Sequence, residues 1–326
     1  MAPGARAEVT VEDAGLTEIS GIVADPDGRT YWVHEDAGNE PTATKIDADG
    51  LVVGELSPLN VGGEDLEDLG LATVGGQHWL YFSDAGDAWN VRKAAGEPSR
   101  KEFQIWRLAI PGYVGPAGEI EAAQVQPFRY PDGANRNSEA MLVQPDGSHV
   151  LLLDKTTGDA PAGVWTVPFN ADSSDEPEPL IDAEAAGEVP IAQISGGNTD
   201  PHGRFVVLRD PDTAYLYPLA GAESMAAALQ AEPTQVPLPE QKQGEGIAVT
   251  WGGDELVISS EGASEPLRFV PIPADFLERV GPAPEVVEET ADTGSPLWRL
   301  VVVGLVIVLG VAVAWLVYRA PQRRSR

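Results

Sequence analysis

Leu66–Asp84 reads LEDLGLATVGGQHWLYFSD: an apolar strand, a Gly75-Gly76 turn, a second apolar strand and a closing acid. The same phrase occurs five times, opening at Ser20-Gly-Ile-Val, Glu67-Asp-Leu-Gly, Glu139-Ala-Met-Leu, Ser195-Gly-Gly-Asn and Glu245-Gly-Ile-Ala. Turn pairs follow at Asp27-Gly28, Gly75-Gly76, Asp146-Gly147, His202-Gly203 and Gly252-Gly253. Each next apolar run stops at or near an acid: Glu35-Asp36, Asp84, Asp154, Asp210 or Glu261. Strand, turn, strand and acid at a spacing of about 50 residues is the signature of β-propeller blades. Five repeats predict an all-β, five-bladed propeller, and the long spacing after the second repeat leaves room for a degenerate sixth blade.

Around this frame the outer strands fall into place. Blade 1 takes Thr44–Ile46 and Leu51–Leu56, and blade 2 takes Phe103–Ile110 and Ala123–Tyr130 after a polar insertion, Ala85–Lys101. Blade 3 takes Gly163–Pro168 and Glu178–Ile181. Blade 4 takes Ala214–Pro218 and Thr234–Pro237, with a helical excursion over Glu223–Gln230. Blade 5 lacks an outer strand, and the alternating segment near Glu8–Glu12 is expected to supply it by pairing near Leu267–Val270. That closure leaves no open edge.

The propeller is expected over residues 7–275, then a Pro- and acid-rich stalk over 277–296, a transmembrane helix within 297–318 and a basic tail over 319–326. Leu300–Tyr318 is uncharged and would span about 28 Å as a helix, enough for a bilayer core. Four arginines follow it, while Glu285–Asp292 before it is acidic. The positive-inside rule then predicts a single-pass cell-membrane protein with an extracellular propeller and a cytoplasmic C-terminus. Met1–Val11 shows no apolar signal segment, so this topology needs an upstream start, and a tail-anchored arrangement is the alternative. Thr290-Ala-Asp-Thr-Gly294 followed by an apolar run and a basic tail also resembles a sortase signal, cleaved at Thr293-Gly294 to give wall attachment.

The 326 residues carry a net charge of −30, with all 51 acids inside residues 1–296. Such a body repels phosphate backbones, which excludes nucleic acid as a partner. Cysteine is absent, which excludes disulfides, thiolate metal sites and cysteine nucleophiles. No HExxH spacing and no G-x-S-x-G elbow occurs, which counts against a zincin and an α/β-hydrolase.

The candidate site comes from aligning the repeats. Ser20, Glu67, Glu139, Ser195 and Glu245 occupy one position, and Glu18, Asp65, Asn137, Gln193 and Gln243 stand two residues earlier. Positions i and i+2 share a strand face, so pseudo-symmetry places two rings of side-chain oxygens round the axis. Glu67, Glu139 and Glu245, backed by Glu18 and Asp65, are candidate ligands of a hard cation such as Ca²⁺, which takes oxygen donors. A water-lined channel and a carboxylate pair working on a sugar are the other readings of the same rings. His34-Glu35-Asp36 and Asp84-Ala-Gly-Asp87 sit on strand-exit loops, as a ligand rim or as turn caps. Arg92, Lys93, Arg100 and Lys101 form a basic cluster on the insertion, as a binding loop or a solvated one.

Leu66-Glu-Asp-Leu with Trp79-Leu-Tyr-Phe-Ser-Asp, Asn137-Ser-Glu-Ala-Met-Leu-Val and Glu245-Gly-Ile-Ala-Val resemble blade phrases of the SdiA-regulated and esterase-like-phytase propellers. Trp32-Val-His-Glu-Asp-Ala-Gly-Asn39 is similar to stretches of exported actinobacterial propellers. The resemblance covers about residues 17–271 and implies the fold more than any reaction. With no nucleophile–base motif, the expected function is a non-catalytic binding module for a small ligand or an envelope protein, held to membrane lipid through Leu300–Tyr318. An extracellular hydrolase of phosphate esters or glycosides is the alternative.

Overall fold

The computed structural model describes residues 8–283, apart from 14, 37, 88, 97, 116, 117, 135 and 171–177. The described residues up to 283 belong to one compact unit. The stalk expected from 277 starts later than that, because 277–280 close the helix Ala274–Val280, with Leu277 and Val280 packed on the core. From residue 284 on, the stalk, the span, the tail and the sorting signal lie outside the described residues. Among the described residues no helix is long and apolar enough to cross a membrane.

The described strands assemble into five sheets, one per repeat. In each, the repeat phrase is the innermost strand: Ile19–Ala24, Leu66–Val74, Ser138–Val143, Gly196–Thr199 and Gly244–Val249 in blades 1 to 5. These strands are packed on both faces by neighbouring blades, which is why Ser138–Val143 is buried at every position. The third strands alternate instead, as Ala162–Pro168 does, because the blade is more open there. The closing glycine of every turn pair holds positive φ, from 68° at Gly203 to 84° at Gly76, a conformation that opposes a β-carbon.

Five buried apolar clusters fill the five gaps between consecutive blades. The cluster between blades 1 and 2 holds Trp32, Leu69, Leu80 and Phe82, whose ring stacks on Trp106 at 3.8 Å. The cluster between blades 5 and 1 joins Val257 and Leu267 to Ile22, Val33 and Val11. A ring whose gaps are all filled this way has no place for a sixth blade. Closure is by the N-terminal strand Glu8–Thr10, antiparallel to Pro266–Pro271 with Val9 opposite Leu267.

Blade 3 differs from expectation. Its outer strand is Glu184–Val189, while Ile181–Asp182 runs parallel to Gln124–Arg129 at the rim of blade 2. Ile181 there packs on the cluster between blades 2 and 3, and Asp182 accepts a hydrogen bond from Arg129 at 2.6 Å. Burial and pairing on the neighbouring blade outweigh local strand order. A matching strap, Glu119–Glu121 of blade 2, runs parallel to Val52–Pro58 of blade 1. After blade 5, the helix Ala274–Val280 docks Phe276 edge-on against Phe205.

Candidate functional site

The inner strands all begin at one end of the axis, and their first residues form its mouth. Ser20, Glu67, Glu139, Ser195 and Glu245 are all buried there. The two serines are clasps between blades: Ser20 Oγ donates to the Glu67 carbonyl at 2.6 Å, and Ser195 Oγ to the Gly244 carbonyl at 3.0 Å. The three glutamates divide into two groups.

On one side, carboxylate oxygens of Asp36, Asp65 and Glu67 lie within 4.8 Å of one another. Burial, then the negative charges of Glu139, Asp36 and Asp65, push the Glu67 carboxyl well above its ordinary range. Gly86 is pressed against this group, since a β-carbon there would lie 2.0 Å from Glu67 Oε1. On the other side, Lys155 Nζ sits 2.8 Å from Glu139 Oε2 and 3.8 Å from Glu245 Oε2. Asn137 donates to Glu139 and Gln243 to Glu245, the i, i+2 pairs that strand geometry predicts. Burial lifts Glu139 to about 7 against the pull of Lys155, and the glutamates raise Lys155, which stays charged. Glu245 Oε2 is buried and takes no hydrogen bond among the described residues. Glu261, at the close of the blade 5 repeat, is raised to about 6 by burial and by Glu245, Asp36 and Glu18. Glu18 itself stands further out, accepting from Asn39 Nδ2 at 2.9 Å.

Just below the mouth a buried carboxylate reaches across the axis. Asp68 Oδ2 accepts from the Met141 and Gly197 amides of blades 3 and 4, and Oδ1 from its own neighbour Leu69. Burial raises this carboxyl strongly while the three amides pull against it. The equivalent residues Gly21, Ala140, Gly196 and Gly246 are small because neighbouring strands touch there; a β-carbon on Gly196 would meet the Glu245 carbonyl at 2.5 Å. His34 fills the remaining space. Its Nδ1 lies 2.8 Å from the Glu35 carbonyl, so it donates, and Nε2 accepts from the Gly21 amide. That tautomer is neutral, and burial takes the imidazole down to about 4.

The basic cluster of the insertion turns inward. Arg100 Nη1 pairs with the buried Asp84 at 2.8 Å and Arg92 with the buried Asp87 at 2.8 Å. Asp84 also accepts from the Asp65 amide, so the insertion, with its helix Trp89–Ala95, braces the acidic side of the mouth. Lys101 donates to the Gly133 carbonyl, and Lys93 remains exposed. Of the strand-closing acids, Asp210 caps its own turn through the Asp212 and Thr213 amides. Asp84 and Asp154 instead accept from other strands, from the Asp65 amide and from Ser138 Oγ and Trp165 Nε1. Asp36 and Glu261 are the members of that set that face the mouth. Lys155 and Asp36 occupy one repeated position just after the second strand: the Asp36, Lys155 and Glu261 amides donate to the carbonyls of Glu18, Asn137 and Gln243. The closing acids mark Asp36, whereas aligning only the inner strands for ligands misses Lys155. Beside Glu245 and Lys155 opens a hollow of about 350 Å³ lined also by Gln193, Gln241, Lys242 and Gln243. Arg209, fully buried, supports its wall through the Gly246 carbonyl and Gln241.

No protein-family model matches the chain, and no curated protein matches it. Solved structures do. A gluconolactonase from Xanthomonas campestris aligns at 14% identity and TM-score 0.42, covering 83% of this chain and 96% of that one. The RRP9 WD40 repeats align at 13% and 0.42 (84% and 99% covered), and Kuenenia stuttgartiensis hydrazine synthase at 11% and 0.39 (79% and 96% covered). At such identities the functional reading rests on this chain's own side chains.

Proposed function

We propose that the chain is a ligand-binding propeller whose binding face is the carboxylate mouth, with a hard divalent cation, Ca²⁺ by preference, on Asp36, Asp65 and Glu67. The observation that carries this is the gathering of three carboxylates within 4.8 Å. Like charges so close, with Glu67 buried, are costly unless a proton or a cation joins them. Ca²⁺ takes six to eight oxygens, so three side chains leave positions open for oxygens of a ligand. Glu139 and Glu245 engage Lys155, and the adjacent hollow offers amide side chains to such a ligand. In the envelope, Leu300–Tyr318 would tether the domain to a membrane with the propeller outside.

Calcium titration of the dialysed protein tests the cation. Bound Ca²⁺ should raise stability by about 2.7 kcal/mol at a hundredfold excess over its dissociation constant. Elemental analysis should give one ion per chain, and Glu67→Gln should lose it. A metal-free protein whose melting ignores both Ca²⁺ and chelator would sink the proposal.

One observation favours a hydrolase as a second reading. A carboxyl at about 7 beside a lysine is poised to give and take a proton near neutral pH. Turnover of a phosphate ester or glycoside that falls in Glu139→Gln, with Ca²⁺ binding kept, would establish it over the binding module.

A further inference from the structure

The opposite end of the propeller holds a second cavity, of about 580 Å³, between blades 1 and 2. We propose that it binds a small neutral ring compound carrying a carbonyl acceptor, independently of the axial mouth. Its volume suits two or three fused rings. Val53, Ile110, Pro111, Tyr113 and Val114 supply apolar walls. The covering loop is held from both sides. Its strand Glu119–Glu121 is strapped to blade 1, and the Ala123 amide donates to Asn60 Oδ1 at 2.8 Å. Val114 lies so close on Gly54 that a β-carbon there would meet it at 2.9 Å. The cavity is therefore preformed, which spares a ligand the cost of ordering it. Tyr113, at its rim, is 75% exposed and offers a ring for stacking.

The floor decides the polarity of the ligand. Asp25 is buried and accepts from Trp32 Nε1 at 2.6 Å, from the Asp27 amide and from Lys45 at 3.0 Å. Asp27 accepts from the Arg29 and Thr30 amides, the Thr30 hydroxyl and Lys45 at 3.2 Å. These carboxylates are saturated, so a ligand donor gains little from them. Lys45 has three N–H groups and gives two to the aspartates, so the floor's remaining polarity is a donor. An anion would meet two aspartates for one lysine beneath a body of net charge −30. A cation would find the carboxylates already engaged. A neutral acceptor meets neither obstacle. His78, also on the wall, has its imidazole pKa lowered by burial, and its Nδ1 is engaged with Thr73 Oγ1 at 2.8 Å.

Prodan, a neutral naphthalene ketone whose emission moves to the blue in apolar surroundings, is the probe. Titrated with the full chain, it should give a saturable blue shift with one site. Val53→Phe fills the cavity and should weaken binding more than about tenfold at unchanged melting temperature. Tyr113→Ala, on an exposed side chain, should weaken it several-fold and serves if Val53→Phe unfolds. 2-Dimethylaminonaphthalene, which lacks the ketone, should bind about fivefold less tightly, the worth of one net hydrogen bond. Glu67→Gln should leave prodan binding unchanged, which separates this cavity from the mouth. Absence of a saturable shift, or wild-type binding by both wall variants, overturns the site. Equal affinity for the two naphthalenes overturns the acceptor.

Discussion

The two halves of the axial mouth are built from the same residue type and solve opposite problems. Glu139 and Glu245 have a lysine between them, held at 2.8 and 3.8 Å, whereas Glu67 has two more carboxylates, Asp36 and Asp65, within 4.8 Å. One half carries its cation in the chain. The other gathers the ligand set that an external cation would use. The contrast shows how a fivefold repeat becomes an asymmetric site: the positions are shared among blades, but the one just after the second strand carries an acid in blade 1, Asp36, and a lysine in blade 3, Lys155.

The acidic half stands on the insertion, and removing its brace should give the largest effect. Arg100→Met leaves Asp84 fully buried without its ion pair and loosens the Asp65 amide that Asp84 accepts. Breaking a buried pair from one side costs about 3–5 kcal/mol. Urea unfolding should show that loss, together with weaker Ca²⁺ binding. Arg100→Lys should restore part of both. Unchanged stability would mean the insertion does not support the mouth.

The lysine half should show itself in pH dependence. Glu139 is raised from an ordinary 4.5 to about 7, so between those values the native state holds a proton that the unfolded state has released. Stability is therefore greatest below about pH 4.5 as far as this group is concerned, and falls as pH rises through about 7. The difference is about 3 kcal/mol, because each tenfold change in proton affinity is worth about 1.4 kcal/mol. In chelator, unfolding of wild type and Glu139→Gln across pH 4.5 to 8 should diverge by that slope. Parallel curves would show that Glu139 ionises normally.

Exchanging the built-in cation for an external one sharpens the comparison further. Lys155→Met leaves Glu139 and Glu245 facing each other, with the lysine itself about a third exposed. The cost should be about 2 kcal/mol at pH 8, between the buried and the surface case. It should shrink at pH 5, where Glu139 is protonated. If a lysine and a metal ion are interchangeable there, Ca²⁺ should recover more stability in Lys155→Met than in wild type. An equal response would show that the two halves differ in more than the lysine.

Much of this was legible in the sequence. The five phrases located the inner strands, the i, i+2 rule paired Asn137 with Glu139 and Gln243 with Glu245, and alternation in Glu8–Glu12 marked the closing strand. What escaped depends on contacts between blades. Ile181–Asp182 is too short to show a period, and its partner lies more than fifty residues away in blade 2. Glu184–Val189 is largely exposed and lacks apolar alternation, so nothing local marks it as a strand. The axis itself read as a ring of ligands or a wet channel. Asp68, at the position where the other blades keep Gly or Ala, also reaches the amides of blades 3 and 4, contacts across the axis that no single repeat displays.

The smallest effect is expected at Lys93, on the basic run of the insertion. Arg92, Lys93, Arg100 and Lys101 form a basic run on an acidic body, yet the two arginines pair with the buried Asp87 and Asp84. Lys93 is exposed on the same helix as Arg92 and carries the charge that remains to be tested. A solvated lysine away from buried partners contributes within about 0.5 kcal/mol. Lys93→Ala should thus leave urea unfolding unchanged to that margin, in contrast to Arg100→Met on the same insertion. It should also leave Ca²⁺ affinity nearly unchanged at about 0.15 M salt, since screening removes most of a surface charge's influence beyond about 8 Å. A marked loss of stability in Lys93→Ala would mean that the insertion works as a charged surface after all, and that the brace on the acidic half of the mouth is only part of its role.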